Sequence, residues 1–448
     1  MPVQDVSAAI ARWKITTPGY RMFADYYAGR HQIKFATQNW QEKYGPIVLG
    51  LRENLCPAVV SAFTDKMEVE SWGVDTLDET AEAGLARLHA RINRESFRTG
   101  DAYVLVWPGP DGAPRPHYHR ADQFVHHVSP TDPAVLDWAA KVWQDGDWGR
   151  VNVYYEDRVE RFRTVQPVGS KGEPAKIADW PEQADKWAEY NGDGDQDTDP
   201  AVITHQFGVV PVCWFPHDPE DDRGRSILTD VIPLQDALNK SVADLVVTGE
   251  TYARPFWYLL GYKPELKLDP ATGKLAAPPK FDPTRQQIFT SDAPGPMGQL
   301  DPPDLTRLLA VQDGYALKIA RVVGMPAYYL TQTSGDVPSG ESLRTLTSRL
   351  TAAVRAHERE TTPVWRGLLQ LLGIDGWPRW ADPTPIDAGE RLDQAVIKRR
   401  DLGLALVDVL EQMGETDAQQ LADNAAAAAE QAATITARQW AQGNLLGG

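Results

Sequence analysis

Apolar and charged residues recur at helical spacing through the first part of the chain, to about residue 95. In ETAEAGLARLHARINRESFRTG, residues 79–100, this spacing ends at Gly100, and a glycine just past the last periodic residue is a frequent helix stop. PAVVSAFTDKMEV, residues 57–69, carries a second helical pattern. The pattern therefore predicts an N-terminal region built mainly from helices.

The spacing of apolar residues changes from a helical to a β-strand pattern after Gly100. DAYVLVWPGPDG is an apolar run closed by a Pro/Gly turn, and AAKVWQDGDWGRVNVYYEDRVERFRTV contains three β-rich stretches separated by Asp145-Gly146 and Glu156-Asp157. We expect these stretches to form an antiparallel sheet over residues 101–168. Residues 169–200 are polar and end in NGDGDQDTDP, which predicts an exposed loop or insertion.

Two long helices separated by a short excursion come next. The first has about 28 residues and runs from Arg225 to Arg254-Pro255, where proline ends it because it lacks the amide proton. FWYLLGY and RQQIFT indicate strands within the excursion, which is too poor in apolar residues for a core of its own, so we expect them to pair across neighbouring copies. Asp304 can cap the second helix. The apolar positions of the two helices are Val231, Leu234, Leu238, Val242, Leu245 and Tyr252, then Leu305, Leu308, Leu309, Ala316, Ile319 and Val323.

The longest helical pattern covers residues 341–372, and Pro363 is predicted to kink or break it. Its apolar positions are Leu343, Leu346, Leu350, Val354, Trp365, Leu368 and Leu372. The tail from Ile386 onward is also helical in pattern. Its Asn424-Ala run has little apolar face, so this tail needs neighbours to hold it in place.

Composition and charge narrow the class of protein. With 448 residues, 42% hydrophobic and 24% charged, the chain is typical of a soluble globular protein of roughly three structural units. It has no apolar run long enough to span a membrane, and MPVQDVSAAIARWK does not resemble a secretion signal. Cys56 and Cys213 are expected to be buried free thiols. The net charge of −17 argues against tight, nonspecific binding of nucleic acid through a basic face.

Several local patterns point to catalytic or metal chemistry, and each has a plainer interpretation. The alternating aspartates at residues 193–199 lack the glycine and glutamate of a calcium loop, so a solvated acidic loop is favoured. The spacing of His117, His119, His126 and His127 matches no established zinc pattern, which favours histidines in strands and turns. SGES around Ser342 is not a nucleophile elbow, and the chain has no Walker A or GxGxxG sequence. We therefore expect no metal, no cofactor and no enzymatic activity.

A soft loop separates two firm helical patterns in PAYYLTQTSGDVPSGESLRTL, residues 326–346. The order of long helix, β excursion, returning helix, soft loop and third helix leaves apolar helical stripes exposed unless copies pack side by side. A ring of copies would bury these stripes and turn the loop to the centre or the outer edge of the ring.

Four segments carry a resemblance to a known family. YYAGRHQIKFA (26–36), ENLCPAVVSAFTDKMEVESWGVD (53–75), GRSILTDVIPLQDALNKSVADLVVTGETYARPFWYLLGY (224–262) and MPAYYLTQTSGDVPSGESLRTLTSRL (325–350) resemble the portal proteins of tailed bacteriophages. The most similar branch comes from siphophages of Gram-positive hosts. Each segment is degenerate alone, and it is their joint order along the chain that is specific.

The resemblance implies an α+β, predominantly helical portal fold that forms a ring, usually a dodecamer, at one vertex of the capsid. Such a ring packages and ejects double-stranded DNA. It docks the terminase packaging motor and the head-tail adaptor, and it contacts the major capsid protein and the scaffold. The implied location is the virion, with assembly in the host cytoplasm and no role for a membrane.

The resemblance also implies a division of the chain into named regions. These are the wing (1–224), a stem helix (225–253), the clip (254–303), a second stem helix (304–328), the tunnel loop (329–340), a long wing helix (341–375) and a helical crown (376–448). Residues 169–200 do not match the family pattern with certainty, and the alanine-rich tail implies a small crown.

The tunnel loop is implied to project into the channel towards DNA, and small flexible residues suit that position. Its residues are Thr331, Gln332, Thr333, Ser334, Gly335, Asp336, Val337, Pro338 and Ser339. An ordinary connector between helices would have the same composition. Lys240, Lys318 and Arg321 are candidates for basic side chains that centre the DNA, although exposed or intersubunit salt bridges fit them equally well.

Two other classes of protein remain open on the sequence. Another capsid or scaffold protein is the main alternative, although a scaffold is expected to be more uniformly helical and to lack a β excursion between paired helices. An enzyme, such as a hydrolase, would need a convergent acid/base pair, and the sequence displays none at a recognisable spacing.

Overall fold

A computed structural model of the protein describes residues 2–31, 42, 53–74, 77–132, 135–170, 173–192, 200–252, 256–261, 288–291, 293–301, 304–331, 340–384, 396–397, 399–400, 405–412 and 419–427. The chain divides into two compact units. The first unit comprises Met1–Gly335 and Thr347–Pro383, and the second comprises Asp336–Leu346 and Thr384–Gly448. Helices and sheets are both present, which confirms the predicted α+β class.

The first unit contains most of the described helices. They are α1 (Pro2–Tyr27), α2 (Cys56–Thr64), α3 (Glu79–Thr99), α4 (Ile232–Tyr252) and α5 (Leu305–Val323). Helix α6 (Gly340–Leu371) has its first turns in the second unit and the rest in the first. The second unit also contains α7 (Leu406–Gln412) and a helical stretch at residues 419–427.

The strands of the first unit form two main sheets and two small ones. The three-stranded sheet has the order β10-β2-β3, with β2 at Asp101–Pro108, β3 at Pro114–His119 and β10 at Val212–Pro216. The larger sheet has the order β4-β5-β6-β7-β8, with β9 also paired to β7. Its strands are Phe124–Val128, Leu136–Asp145, Trp148–Tyr154, Arg158–Thr164, Trp187–Glu189 and Val202–Thr204. The small sheets pair β1 (Val69–Ser71) with β14 (Arg379–Trp380), and β11 (Phe256–Leu260) with β12 (Ile288–Ser291) and β13 (Met297–Leu300).

The prediction of one antiparallel sheet over residues 101–168 is wrong, because that region is divided between the two main sheets. Local hairpins are recognised correctly, since β5 pairs with β6 across Asp145↔Trp148 and β6 pairs with β7 across Tyr154↔Val159. Strand β2, however, takes the distant β10 as its second partner. A hairpin pattern identifies strands and turns, but it does not identify partners that are far away in sequence.

The junction between α3 and β2 makes a close backbone contact with the segment before α4. Gly100 ends α3 with a φ of 100°, in a region that residues with a side chain rarely adopt. A Cβ atom on Gly224 would overlap the carbonyl oxygen of Gly100 and lie 2.6 Å from its carbonyl carbon. The predicted helix stop is therefore confirmed, and its second purpose is to let the segment before α4 pass against it.

A buried carboxylate lies beside this contact. Asp101 has no exposed surface, and its two oxygens accept hydrogen bonds from Tyr20 Oη (2.5 Å), Trp214 Nε1 (2.6 Å) and the Gly224 amide (2.9 Å). Burial raises the pKa of Asp101, while these three donors act in the opposite direction. The three donors come from α1, β10 and the segment before α4, so one side chain ties three distant parts of the chain together.

A second polar contact joins the end of α1 to the start of α4. Tyr26 Oη donates to Asp236 Oδ1 at 2.8 Å, and its ring stacks on His31 with centroids 4.0 Å apart. The amide of Asn239 lies 2.9 Å from His31 Nε2. Gln235 donates to the carbonyl of Glu53 at 2.6 Å. The Tyr26–His31 segment that carries the sequence resemblance is therefore a packing element at the base of α4.

Most described residues of the segment 169–200 are exposed, as its polarity predicts, but three aromatic side chains anchor it. Trp180 and Trp187 are buried against the larger sheet, and the Trp180 ring lies 4.9 Å from that of Trp13 in α1. Tyr190 is buried as well. Three widely spaced aromatic residues anchor a segment whose average composition is polar, so the average is a poor guide here. The aspartates at 193–199 lie outside the described residues.

Helix α4 begins at Ile232, seven residues later than predicted. Residues 227–231 form turns, and Pro233 occupies the first helical turn, where its missing amide proton costs nothing. Asp304 caps α5 as predicted, through a bond from the Thr306 amide at 3.0 Å. Strands β11 and β12 pair with each other and β13 takes the other edge of β11, so both edges of β11 are occupied within one chain. Pairing of the excursion's strands across neighbouring copies stays a prediction.

Pro363 lies inside the continuous helix α6, so the predicted break is wrong, and a kink at this proline stays a prediction. Trp365, Leu368 and Leu369 follow it and are fully buried, as are Leu350 and Val354 before it. Thr361 and Thr362 donate their hydroxyls to the carbonyls of His357 and Glu358, at 2.8 Å and 2.6 Å. Core packing on both sides of the proline holds the helix together despite the lost backbone hydrogen bond.

The contact between Gly100 and Gly224 can be tested directly. We expect Gly224→Ala to lower the free energy of unfolding by about 2–3 kcal/mol, because the new methyl group forces the two backbones apart. Denaturant unfolding followed by tryptophan fluorescence measures the effect.

Gly84→Ala in α3 is the matched control, since a Cβ atom at Gly84 meets no other atom within 4 Å. This control should raise the free energy of unfolding by up to about 1 kcal/mol through helix propensity. Equal stability of the wild-type protein and the Gly224→Ala variant would contradict the proposed close contact.

Candidate functional site

The start of the predicted tunnel loop is firmly anchored. Gly324 ends α5 in the left-handed conformation, with a φ of 75°, and a Cβ atom there would lie 2.6 Å from Arg349 Nε of α6. The Met325 amide donates to the Ala320 carbonyl at 2.9 Å, and the Met325 side chain is buried in the core that contains Leu350. The direction in which the chain leaves α5 is therefore fixed by packing against α6.

A short 3₁₀ turn, Ala327–Tyr329, completes this anchor. The amide and the hydroxyl of Thr331 both donate to the Ala327 carbonyl, each at 3.0 Å. Tyr328 and Tyr329 stack with ring centroids 4.9 Å apart, and partial burial raises the pKa of Tyr329 to about 12. Thr331 thus belongs to the anchor, whereas Gln332 to Ser339 lie outside the described residues.

Lys240 forms an ion pair with Asp244, one turn further along α4. The Lys240 side chain retains 27% of its exposure, so the pair is only partly screened by water. A helical i,i+4 pair of this type neutralises the ammonium within its own helix. The placement of Lys240 in a channel stays a prediction.

Lys318 and Arg321 lie one turn apart on the last part of α5, and both are exposed. The Lys318 ammonium lies 4.9 Å from the centroid of the Tyr315 ring, which orients it along the helix. Arg321 is in the last turn, where a cation interacts favourably with the helix dipole. The two side chains share one side of α5, and their contact with DNA stays a prediction.

Helix α5 exposes an unusual amount of apolar surface. Leu309, Val311 and Val322 retain 49%, 45% and 44% of their surface, and Leu305 and Leu317 are also exposed. These side chains surround the helix, while Ala316, Ile319 and Ala320 form its buried face. Within the described part of a single chain, α5 therefore presents apolar side chains to solvent.

A cavity of about 290 Å³ lies where α5 and α6 meet the segment before α4. His217 and His357 line it with ring centroids 5.7 Å apart, and His217 Nδ1 lies 2.7 Å from the Arg225 carbonyl. Arg225 is paired with Asp230 at 2.7 Å. Burial is the main cause that holds the pKa of His357 well below its ordinary value, and electrostatic repulsion by His217 and His89 lowers it further. Burial lowers the pKa of His217 as well, so neither imidazole favours the positive charge that would bind an anion.

The histidines that raised a zinc hypothesis lie in strands. His117 and His119 are in β3, and His126 and His127 are in β4. His126 is buried, and its Nδ1 lies 2.9 Å from Tyr103 Oη. Over the described ranges, no three His, Cys, Asp or Glu side chains are grouped so as to hold a metal ion. Cys56 and Cys213 are free and buried, as predicted.

Three polar residues important to the architecture were missed by the sequence reasoning. Gln235, Asp236 and Asn239 lie on the first turns of α4 and are buried, although their pattern interrupts no apolar stripe. Polar residues at consecutive helical turns beside apolar ones are a weak signal of a buried network.

Among the described helices, none is both long and apolar enough to cross a membrane.

Comparisons with known proteins identify similar chains. The family model described as "Phage portal protein, SPP1 Gp6-like" matches residues 77–373. The portal protein of Mycobacterium phage D29 is 26% identical over 203 residues, covering 44% of this chain and 39% of the relative. The portal protein of Mycobacterium phage L5 is 25% identical over 203 residues, with the same coverage of both chains. The match thus spans about two fifths of the length of these relatives.

Solved structures give a weaker match. A chain from the virion of a native gene transfer agent particle has a TM-score of 0.40 at 14% identity, covering 78% of this chain and 85% of that chain. A chain from the neck of the native particle, computed with C12 symmetry, has a TM-score of 0.41 at 14% identity, covering 79% and 87%. TM-scores at this level are too low to support a conclusion about the present chain.

The buried histidines make the stability of the first unit sensitive to acid. Burial lowers the pKa of His89 to about 4, against an ordinary value near 6.5, so the unfolded state binds a proton before the folded state does. The contribution of neutral His89 to stability is complete above pH 6.5 and is lost as the pH falls towards 4. For His89 alone, this loss is on the order of 3 kcal/mol.

We expect His89→Gln to reduce the acid-induced loss of unfolding free energy, measured by denaturant unfolding at several pH values. His127→Gln is the matched control, because the His127 ring is 48% exposed. The control should keep the acid sensitivity of the wild-type protein. An unchanged pH profile for His89→Gln would show that His89 is not a source of that sensitivity.

Proposed function

This chain belongs to the SPP1 Gp6-like family of phage portal proteins, and we propose that it forms the ring-shaped channel through which double-stranded DNA enters and leaves a phage capsid. The observation that carries the proposal is the family match over residues 77–373, which runs from the last residues before α3 to the end of α6. This range contains the main sheets, the α4–α5 pair and the anchored start of the loop.

The exposed apolar side chains of α5 support assembly into a ring. Leu309, Val311 and Val322 contact water in a single chain, and burying them against a neighbouring copy would contribute about 25 cal/mol per Å² of apolar area. A closed ring buries this apolar surface in every copy, whereas an open chain of copies leaves it exposed on the copies at its two ends. A dodecamer is the expected size.

The regions of the chain can be assigned on this proposal. Residues 1–224 and the helix at 341–375 form the wing, the helices at 225–253 and 304–328 form the stem, and the excursion at 254–303 forms the clip. The clip would dock the terminase packaging motor and later the head-tail adaptor. Residues 376–448 form the crown. The wing would contact the major capsid protein and the scaffold.

The tunnel loop, residues 329–340, is proposed to meet DNA inside the channel. Its start is held by Gly324, Met325 and the 3₁₀ turn, so the loop would leave a fixed point in every copy. Thr333, Ser334 and Gly335 carry little apolar surface, and Asp336 repels phosphate. Such a loop would act sterically and electrostatically on a moving duplex.

The net charge of −17 agrees with a channel that must release DNA. A wall rich in Lys and Arg would displace counterions from phosphate and hold the duplex in place. Lys318 and Arg321 are proposed to centre the DNA, because both are exposed on α5. Lys240 is a weaker candidate, since Asp244 already neutralises it.

The proposed role is structural and not enzymatic, and the proposed location is the portal vertex of a virion. A scaffold protein is the main alternative. The three-stranded sheet of β11, β12 and β13 between two paired helices favours the portal over a uniformly helical scaffold.

Ring assembly can be tested by native mass spectrometry and negative-stain imaging. We expect particles with a central hole and a mass that is a multiple of 49.7 kDa. Leu309→Glu should raise the concentration needed for assembly by at least about tenfold, because it places a charge in the proposed interface.

Val165→Glu is the control for a general effect of a new surface charge, since Val165 is 52% exposed and lies beyond β7. It should assemble like the wild-type protein. Finding only monomers or dimers of the wild-type chain under all assembly conditions would defeat the ring proposal.

A deletion tests the loop. Removing Thr333 to Val337 should leave ring assembly intact and impair DNA packaging or retention, because the anchor at Thr331 is unaffected. Assembly and packaging are measured side by side. Replacing the same five residues with a Gly/Ser sequence of equal length is the control, and it separates the length of the loop from its composition. Normal packaging by the deletion variant would mean that the loop does not meet DNA, and loss of the ring would mean that the loop is structural.

A further inference from the structure

A wide groove lies between α3 and the edge strand β3, away from the elements assigned to the channel. Its volume is about 850 Å³. The groove, called here the α3–β3 groove, is lined by Gly84 and Leu88 of α3, Pro116 and Tyr118 of β3, and Leu372 and Ile374 after α6. All of these residues belong to the first unit.

The floor of the α3–β3 groove is a surface of the hydrophobic core. Leu85 and Leu88 belong to the core cluster that also holds Trp72 and Trp365, and Leu372, Ile374 and Tyr118 pack against that cluster while remaining partly exposed. The walls are therefore fixed by the core. A preformed apolar groove of this kind binds a ligand with little loss of conformational entropy.

The rim of the groove is basic. Arg87 and Arg91 are exposed on α3 and line the groove, and the Arg91 guanidinium lies 5.8 Å from the centroid of the Tyr118 ring. Neither arginine forms an ion pair with any residue in the described part of the chain. By helix geometry, Glu79 and Glu82 lie about 140° and 160° around α3 from Gly84. The groove is thus positively charged on a protein whose net charge is −17.

The edge of β3 limits how a peptide can bind. Val106, which is opposite Pro116, donates its amide to the Pro211 carbonyl on the far side of β2, so the nitrogen of Pro116 faces the open edge. Pro114 has the same orientation two residues earlier. Neither proline can donate a hydrogen bond, so an added β-strand would find two missing donors. A helix, whose backbone bonds are internal, does not need them.

The opposite wall favours the same occupant. Gly84 has no side chain, and a Cβ atom placed there would meet no other atom within 4 Å. A glycine on a helix wall leaves room for the backbone of a second helix to approach closely. Arg91 is almost in line with Gly84, about 20° around the helix. Arg91 therefore lies on the side of α3 that a helix seated against Gly84 would contact, within reach of side chains at the border of its apolar face.

We propose that the α3–β3 groove binds an acidic amphipathic helix of a partner protein. Its apolar side chains would occupy the floor formed by Leu88, Tyr118 and Ile374, and its carboxylates would pair with Arg87 and Arg91. Charge-assisted pairs with arginine are directional, and they fix the orientation of the bound helix. The apolar floor distinguishes this occupant from nucleic acid, whose phosphates need no such surface.

The probe for this site is a fluorescein-labelled synthetic helix of about 16 residues, with leucines at helical spacing and glutamates between them. Fluorescence anisotropy measures its binding to the purified full-length protein. A second peptide with lysine in place of every glutamate has the same apolar side. We expect saturable binding of the acidic peptide and at least about tenfold weaker binding of the basic one.

Two pairs of variants locate the binding. Gly84→Trp fills the groove and Ala86→Trp places the same ring on the far side of α3, so only the first should weaken binding, by at least about tenfold. Arg87→Glu with Arg91→Glu should weaken it equally. Arg21→Glu with Arg359→Glu is the control of equal charge, because both arginines are exposed elsewhere in the first unit.

Three results would overturn the proposal. The first is no saturable binding of the acidic peptide to the wild-type protein, and the second is equal binding to the Gly84→Trp and Ala86→Trp variants. The third is displacement of the probe by a peptide of residues 405–427 at equal concentration. That result would identify the acidic tail of this chain as the occupant of the groove.

Discussion

The buried carboxylate of Asp101 is the interaction on which the first unit depends. A carboxylate without exposed surface is costly unless donors satisfy it, and here Tyr20, Trp214 and the Gly224 amide do so together. Each donor arrives from a different part of the sequence. The last of them can approach only because Gly100 and Gly224 carry no side chains. This cluster holds the segment that leads into α4, and the contacts of Gln235, Asp236 and Asn239 hold the first turns of that helix.

The sequence predicted those parts of the fold in which local pattern and tertiary packing agree. Helix α3 and its stop at Gly100, the hairpins of the larger sheet, and the Asp304 cap of α5 are all confirmed. The errors occur where distant contacts decide. Pro363 lies within a continuous helix because buried residues on both sides hold it, and the polar segment 169–200 is fixed by Trp180 and Trp187. In both cases the residues that supply the packing are far away in sequence, so a short stretch of sequence does not show them.

The candidate channel residues illustrate the same limit. Composition predicted a soft loop after α5 but did not predict the anchor at its start, which needs Gly324 in a left-handed conformation and Met325 in the core. The three basic candidates looked alike as sequence. In the structure Lys240 is neutralised by Asp244, whereas Lys318 and Arg321 are exposed. Whether each basic side chain is paired depends on the residue one turn away and on how far the side chain is buried. Sequence spacing shows the neighbouring residue but not the burial.

The two prolines on β3 also bear on the risk of aggregation. An unprotected sheet edge is a template for strands from other molecules, and the danger grows when many identical chains accumulate at high local concentration. Pro114 and Pro116 remove two outward-facing donors from that edge. These two prolines therefore disfavour pairing of this sheet edge with a strand from another molecule.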